Sequence, residues 1–146
     1  MTHEISASAL ARALRFDAAA SGAMGLLLAV DAQPLEAMLG LPGPMLRAAG
    51  VFLLPFAGAL LLLAPRATRA LGLVRLIIAG NLLWIAASLV LISVTSATIT
   101  LLGEAFVLGQ AAAVALFVYL EVRALRGVTG RQGLSVTQSL SDSVTQ

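Results

Sequence analysis

The chain has no cysteine, no lysine and a single histidine, His3, near its N-terminus. Disulfides, iron-sulfur clusters held by cysteine and zinc sites built from cysteine and histidine are therefore excluded within the chain. Haem held between two histidines of the chain is excluded for the same reason. We expect no cofactor and no metal.

Charge is also scarce, at 11% of residues, while 60% are hydrophobic. Water-soluble domains average roughly a quarter charged residues, so this composition excludes an ordinary water-soluble domain. The formal net charge is only +2, and the arginines follow the spacing of the apolar runs. We therefore expect contacts with membrane lipids and no nucleic-acid partner.

Four apolar runs occupy most of the chain. A transmembrane helix needs about 20 apolar residues to cross about 30 Å of hydrocarbon. We predict helices over about residues 13–31, 45–64, 72–94 and 98–122. The first run, Phe16 to Val30, is short for a span. Residues 1–126 then form one four-helix membrane domain, and the Gly-, Ser- and Thr-rich residues 127–146 are predicted to be a flexible cytoplasmic tail.

The arginines orient these helices. Eight of the nine fall in three short segments, one before the first run, one between the second and third, and one after the fourth: Arg12, Arg15; Arg66, Arg69, Arg75; Arg123, Arg126, Arg131. Positive residues are retained on the cytoplasmic side. The predicted fold is all-α, an antiparallel four-helix transmembrane bundle with both termini cytoplasmic.

Asp17 lies at the edge of the first run. An unpaired carboxylate near hydrocarbon costs about 2 to 3 kcal/mol. We therefore expect an interfacial salt bridge from Asp17 to an arginine such as Arg75 or Arg123. A proton or cation site is the functional alternative.

Arg47 alone departs from the positive-inside pattern, because it begins the second helix on the outer side. We expect it to pair with Asp31, Glu36 or Glu104, with an anion-binding role as the alternative. In the preceding connection, Leu35, Met38 and Leu39 have helical spacing, which predicts a short interfacial helix.

The third and fourth runs are joined by a short uncharged turn, so residues equally distant from about position 97 lie at similar depth. Asn81 and Gln110 are thereby predicted to hydrogen-bond near mid-membrane, and Ser88 to meet Glu104 nearer the outer surface. The alternative is a substrate pathway along these polar groups. Glu104 is the strongest functional candidate because it is a carboxylate predicted inside the bilayer.

Small residues recur at intervals of four in the first and fourth helices. This spacing lets membrane helices approach closely, either within the bundle or against a partner. The two candidate contact faces consist of Ala18, Ser21, Gly22 and Gly25, and of Ala105, Gly109 and Ala113.

Several segments together resemble a group of small, uncharacterised four-span bacterial integral membrane proteins. They are Arg15-Phe-Asp17, Leu46-Arg-Ala-Ala-Gly50, Leu54-Pro-Phe56, Gly80-Asn-Leu-Leu-Trp84 and Ala105-Phe-Val-Leu-Gly-Gln110. The resemblance implies a multi-pass protein of the bacterial inner membrane. It implies no activity, because that group has no assigned function.

No paired nucleophile and base is visible, so we expect no enzyme. The leading hypothesis is an accessory or interaction subunit that binds a membrane-protein partner or a second copy through the small-residue faces. The alternative is a small transporter or channel with a polar path at Asn81, Glu104 and Gln110. A filled bundle with Glu104 paired to Arg47 favours the first, and a cavity reaching the polar groups favours the second.

Overall fold

The computed structural model describes the backbone of residues 2–144 and the side chains of residues 7–130. This part of the chain is helical and contains no strand. The helices are α1 (Thr2–Val30), α2 (Ala32–Leu39), α3 (Gly43–Leu63), α4 (Leu71–Val94) and α5 (Leu101–Val144), with a 3-10 turn at Ala64–Arg66 after α3.

Four helices are long and apolar enough to cross a membrane. Their spanning segments are Ala7–Val30, Gly43–Arg66, Leu71–Val94 and Leu101–Gly130. The predictions of an all-helical chain and of four spans are therefore confirmed. The protein is a multi-pass membrane protein by the length and composition of these helices.

The first helix begins earlier than the sequence predicts, at Thr2. Leu10 and Leu14 are fully buried and extend the inward face of α1 by two turns, while Arg12 and Arg15 lie on the exposed face. Arginine side chains near a helix end reach the membrane surface with their charged groups and leave their stems on apolar surface. Helix α1 therefore begins before the predicted bound of about residue 13 and is longer than the apolar run from Phe16.

The last helix continues beyond the predicted span. Val128 is buried, Thr129 donates a hydrogen bond from its hydroxyl to the Leu125 carbonyl oxygen (3.1 Å), and the backbone is helical through Val144. The backbone of residues 127–144 is thus helical in the segment where the composition predicts a flexible cytoplasmic tail.

Helix α1 occupies a central position. It packs most extensively against α3 and also against α5, which in turn packs against α4. The backbones of α3 and α4 scarcely approach each other, although these helices are consecutive in the chain. A gap between α3 and α4 is the result.

Helices α1 and α3 approach each other closely at two glycines. A Cβ atom on Gly50 would lie 2.7 Å from the Gly25 carbonyl oxygen, and one on Gly25 would lie 3.1 Å from the Cβ of Leu53. The predicted small-residue face of α1 therefore packs inside the bundle at Gly25. Close backbone approach at glycines is a usual way for membrane helices to associate, because lipid provides no hydrophobic force between them.

The short helix α2 forms where Leu35, Met38 and Leu39 predict it. It ends at Gly40, whose φ of 68° is left-handed and favours glycine. Thr100 then joins α2 to α5, since its hydroxyl donates to the Met38 carbonyl oxygen (2.8 Å) and accepts from the Gly103 backbone N–H (3.0 Å). Thr100 thereby caps the start of α5.

Replacing Gly50 by alanine should separate α1 from α3, because the added Cβ overlaps backbone atoms of α1 that cannot rotate away. We expect a loss of about 1 to 3 kcal/mol in the free energy of unfolding. Gly58→Ala is the matched control in the same helix, since nothing lies within 4 Å of its added Cβ. Unfolding in mixed micelles measures both variants, and equal stabilities would contradict the close approach.

Candidate functional site

Polar side chains from α1, α4 and α5 meet inside the bundle. Asp17, Asn81 and Glu121 are exposed by only 1%, 4% and 0%, respectively. Asn81 donates from Nδ2 to Oδ2 of Asp17 (2.8 Å), and Ser21 donates from Oγ to Oδ1 of Asp17 (2.9 Å). Each carboxylate oxygen of Asp17 therefore accepts one hydrogen bond.

Glu121 lies beside Asp17 and Asn81 but is held differently. Neither of its carboxylate oxygens has a hydrogen-bond partner. Asp17 and Asn81 are its polar neighbours, and the Asn81 amide donates to Asp17 and not to Glu121. A buried polar group without a partner costs about 1 to 3 kcal/mol, and a charged one costs more. Glu121 is thus the one side chain of this cluster whose hydrogen-bonding capacity is unused.

This carboxylate cluster joins three of the four candidate spans. Asp17 belongs to Ala7–Val30, Asn81 to Leu71–Val94 and Glu121 to Leu101–Gly130. At 1.5 Å per residue, Asn81 lies roughly 15 Å along α4 from its first residue, Leu71. The prediction that Asp17 lies at the membrane edge stays a prediction, although α1 begins before the first apolar run.

The helical phase of each polar residue explains its burial. Asp17 follows Leu10 and Leu14 on the inward face of α1 at intervals of four and three. In the same way, Asn81 follows Val74 and Ile78 on α4. A residue in phase with a buried apolar stripe points into the bundle whatever its polarity.

Glu121 was not among the residues that the sequence singled out. It precedes Ala124 and Val128 on the buried stripe of α5, at intervals of three and four. This helical spacing from buried apolar residues is the sequence signal that could have identified Glu121. Its neighbours Tyr119 and Arg123, both exposed, instead indicate a helix end in contact with the membrane surface.

The salt bridge expected for Asp17 does not form. Arg75 and Arg123 are both exposed, and Asp17 binds Ser21 and Asn81 instead. Side chains as long as arginine direct their charge outward to water or headgroups when they start on the lipid-facing side of a helix. The carboxylate is therefore satisfied by neutral donors.

The expected pairing of Asn81 with Gln110 is also absent. Asn81 donates to Asp17, and Oε1 of Gln110 has no partner. Ser88 donates to the carbonyl oxygen of Trp84 in its own helix (2.9 Å), and not to Glu104. The hairpin arithmetic places residues at similar depth, but it does not determine which way each side chain faces.

Glu104 and Arg47 lie apart from the cluster. Glu104 is half-buried in the first turn of α5, which begins at Leu101 and not at 98 as predicted. Arg47 is exposed, and no ion pair joins it to an acidic side chain within residues 7–130. The strongest carboxylate candidate from the sequence is therefore at the end of a helix and outside the buried network.

The two small-residue faces have different surroundings. On α1, Ala18 and Gly25 are buried, and Gly22 faces Ala57 of α3. On α5, the face is exposed throughout and consists of Ala105, Gly109 and Ala113. Nothing lies within 4 Å of a Cβ placed on Gly109.

A cavity of about 280 Å³ occupies the gap between α3 and α4. Its walls carry Phe52 and Phe56 from α3 and Trp84 from α4. The Phe52 and Trp84 rings stack across the gap with centroids 6.5 Å apart and an interplanar angle of 6°. We call this space the α3/α4 cavity.

The polar wall of the α3/α4 cavity includes Ser21 and Asn81. These are the same two side chains that donate hydrogen bonds to Asp17. A second, smaller cavity of about 70 Å³ is lined by residues that include Ser21, Trp84 and Gln110. The carboxylate cluster is thus connected to both cavities through its hydrogen-bond donors.

No family model, curated protein or solved structure matches the chain. Within residues 7–130, no three His, Cys, Asp or Glu side chains are grouped so as to hold a metal ion. The carboxylate cluster and the cavity beside it therefore provide the chemistry from which a function can be proposed.

The bond between Asp17 and Asn81 should be measurable as a coupling energy. In a double-mutant cycle with Asp17→Ala and Asn81→Ala, we expect about 1 to 2 kcal/mol of interaction in the free energy of unfolding, because the bond is buried between helices. Ser88→Ala is the control partner, since its hydroxyl binds its own helix. Additive effects in the Asp17/Asn81 pair would contradict the hydrogen bond.

Proposed function

We propose that the protein is a proton-coupled membrane transporter, and not an enzyme, in which Asp17 and Glu121 together bind the proton. The observation that carries this proposal is Glu121, which is fully buried beside a second carboxyl group and has no hydrogen-bond donor. Ionisable groups inside a membrane commonly mark ion pathways and proton relays. The proposed polar path includes Asn81, as the sequence suggests, but its carboxyl groups are Asp17 and Glu121 in place of Glu104.

The electrostatics of the pair support a single shared proton. Two adjacent negative charges in an apolar bundle repel each other and both lose hydration. A proton on Glu121 removes one of the two negative charges. It also makes the Glu121 carboxyl group a hydrogen-bond donor. Asp17 keeps the donors Asn81 and Ser21, so it is the better placed of the two to hold the remaining charge.

The shared donors provide a means of coupling. A ligand in the α3/α4 cavity that accepts hydrogen bonds from Ser21 and Asn81 would withdraw them from Asp17. The affinity of the pair for a proton would then change, and by linkage proton binding would change the affinity for the ligand. This reciprocity is what a proton-coupled transporter requires.

We also propose the orientation and location that the sequence predicts. An antiparallel arrangement is supported by one apolar cluster that combines Leu10, Leu63, Val74 and Ala124. The three arginine-rich segments lie near this end, which supports cytoplasmic termini. The resemblance to small four-span bacterial membrane proteins supports the bacterial inner membrane.

The second candidate is an accessory subunit that binds a membrane protein or a second copy. It is supported by the exposed small-residue face of α5 at Ala105, Gly109 and Ala113, where nothing lies within 4 Å of a Cβ placed on Gly109. This role is compatible with transport, because a transporter can also function as an oligomer.

The proton on Glu121 should be visible in the infrared spectrum of the reconstituted protein. We expect a carboxylic acid C=O band, shifted in heavy water, that disappears in Glu121→Gln because the proton carrier is removed. Glu104→Gln is the matched control, since Glu104 lies in the first turn of α5 and outside the cluster. A band that persists in Glu121→Gln and in Asp17→Asn would exclude the pair as the proton site.

The small-residue face of α5 can be tested separately. Gly109→Ile should reduce the oligomeric mass in mild detergent if this face joins two copies, because the branched side chain prevents close helix approach. Gly72→Ile is the control, since Gly72 of α4 also has open space around it and lies outside the α3/α4 cavity. Native mass spectrometry records both, and unchanged masses would exclude self-association through Gly109.

A further inference from the structure

Helix α5 carries a row of polar side chains on its membrane-facing side that the carboxylate cluster does not use. Tyr119, Arg123 and Arg126 are all exposed and are separated by four and three residues, which places them along one face. No ion pair joins Arg123 or Arg126 to an acidic side chain within residues 7–130. Arg123 and Arg126, which form no ion pair with that part of the chain, therefore lie about one helical turn apart on α5.

These residues border a groove of about 690 Å³ between α4 and α5. Its apolar wall includes Leu82 and Ile85 from α4 and Val118 and Val122 from α5. The arginines lie at the end toward Arg126, and the apolar wall extends from there into the span. We call this the α4/α5 groove.

The length of the groove fits one leaflet of a bilayer. Along α5 it extends from Ala115 to Arg126, which is eleven residues or roughly 16 Å. Half of the hydrocarbon thickness is roughly 15 Å. A molecule with its charge at the arginines and a chain along the groove would therefore end near the middle of the membrane.

We propose that the α4/α5 groove is a binding site for an anionic phospholipid, with the phosphate between Arg123 and Arg126 and an acyl chain along the apolar wall. The two arginines provide charge complementarity, and guanidinium groups bind phosphate oxygens in a bidentate manner. Basic pockets between transmembrane helices bind anionic headgroups by the same chemistry.

A second groove, of about 540 Å³, extends the site across α5. It lies between α1 and α5 and is bordered by Arg12 and Arg123. Arg123 therefore lies between two grooves, with Arg12 on one side and Arg126 on the other. A lipid with two phosphates and four acyl chains, such as cardiolipin, would engage all three arginines. The site thus favours a doubly charged lipid over a singly charged one.

A free anion does not account for the groove. Inorganic phosphate would use the arginines, but it would leave the apolar wall between Leu82 and Val122 without an occupant. The lipid assignment therefore makes two separable predictions, one for the charges and one for the apolar wall. Neither depends on proton binding at Glu121, so the proposal can fail or hold independently of transport.

The experiment is native mass spectrometry of the full-length protein from nanodiscs that contain cardiolipin, phosphatidylglycerol or phosphatidylethanolamine. We expect retained lipid with cardiolipin and phosphatidylglycerol, and little with phosphatidylethanolamine. In the Arg123→Gln/Arg126→Gln double variant, affinity for the anionic lipids should fall roughly 20-fold, because two charge contacts are lost. Arg47→Gln is the matched control, since Arg47 is exposed but lies outside both grooves.

A second variant tests the apolar wall without changing charge. Ala115→Phe should fill the groove and reduce lipid retention, whereas Ala112→Phe, on an exposed position of α5 outside the groove, should not. Equal retention of anionic and zwitterionic lipids would overturn the proposal. So would full retention in the double arginine variant, or displacement of the lipid by inorganic phosphate together with no effect of Ala115→Phe, which would indicate a simple anion site.

Discussion

Hydrocarbon cannot form hydrogen bonds with a carboxyl group, so a carboxyl group inside the bundle needs donors from the protein itself. The arrangement of helices around Asp17 depends on this constraint. Asp17 obtains both of its donors from within the protein, Ser21 in its own helix and Asn81 from α4. The bond to Asn81 joins α1 to α4, two helices whose backbones do not pack closely. Glu121 of α5 lies at the same place, but its carboxylate oxygens accept no hydrogen bond. The cluster therefore contains one carboxyl group with hydrogen-bond donors and one without.

The helices pack unevenly around this cluster, and the gap between α3 and α4 leaves a cavity beside it. The glycine contact between Gly25 and Gly50 brings α3 close to α1, whereas α3 and α4 scarcely approach each other. Aromatic side chains then span the gap, with Phe52 stacked on Trp84. The cavity in this gap is lined by Ser21 and Asn81, which are the hydrogen-bond donors of Asp17.

Helix α5 separates two kinds of charge by its phase alone. Glu121 faces inward and is fully buried, while Arg123, two residues later, is exposed on the membrane side. Two residues along an α-helix are about 200° apart around its axis, so neighbours of this kind point in nearly opposite directions. A proton site inside the bundle and a phospholipid groove outside it can therefore occupy the same stretch of one helix.

The sequence by itself determined the all-helical class, the four spans, the short helix α2 and the absence of cysteine chemistry, because each depends on composition or local spacing. It misplaced the start of α1, since average hydropathy counts Arg12 and Arg15 without regard to the face that they occupy. Tertiary structure decided the partners of Asp17 and Asn81, the inclusion of Glu121 and the isolation of Glu104. These depend on which helices pack together, and α1 packs against α5 while α3 and α4, neighbours in the chain, leave a gap. Hydrogen bonds between helices follow that arrangement in space, which no local pattern of residues records.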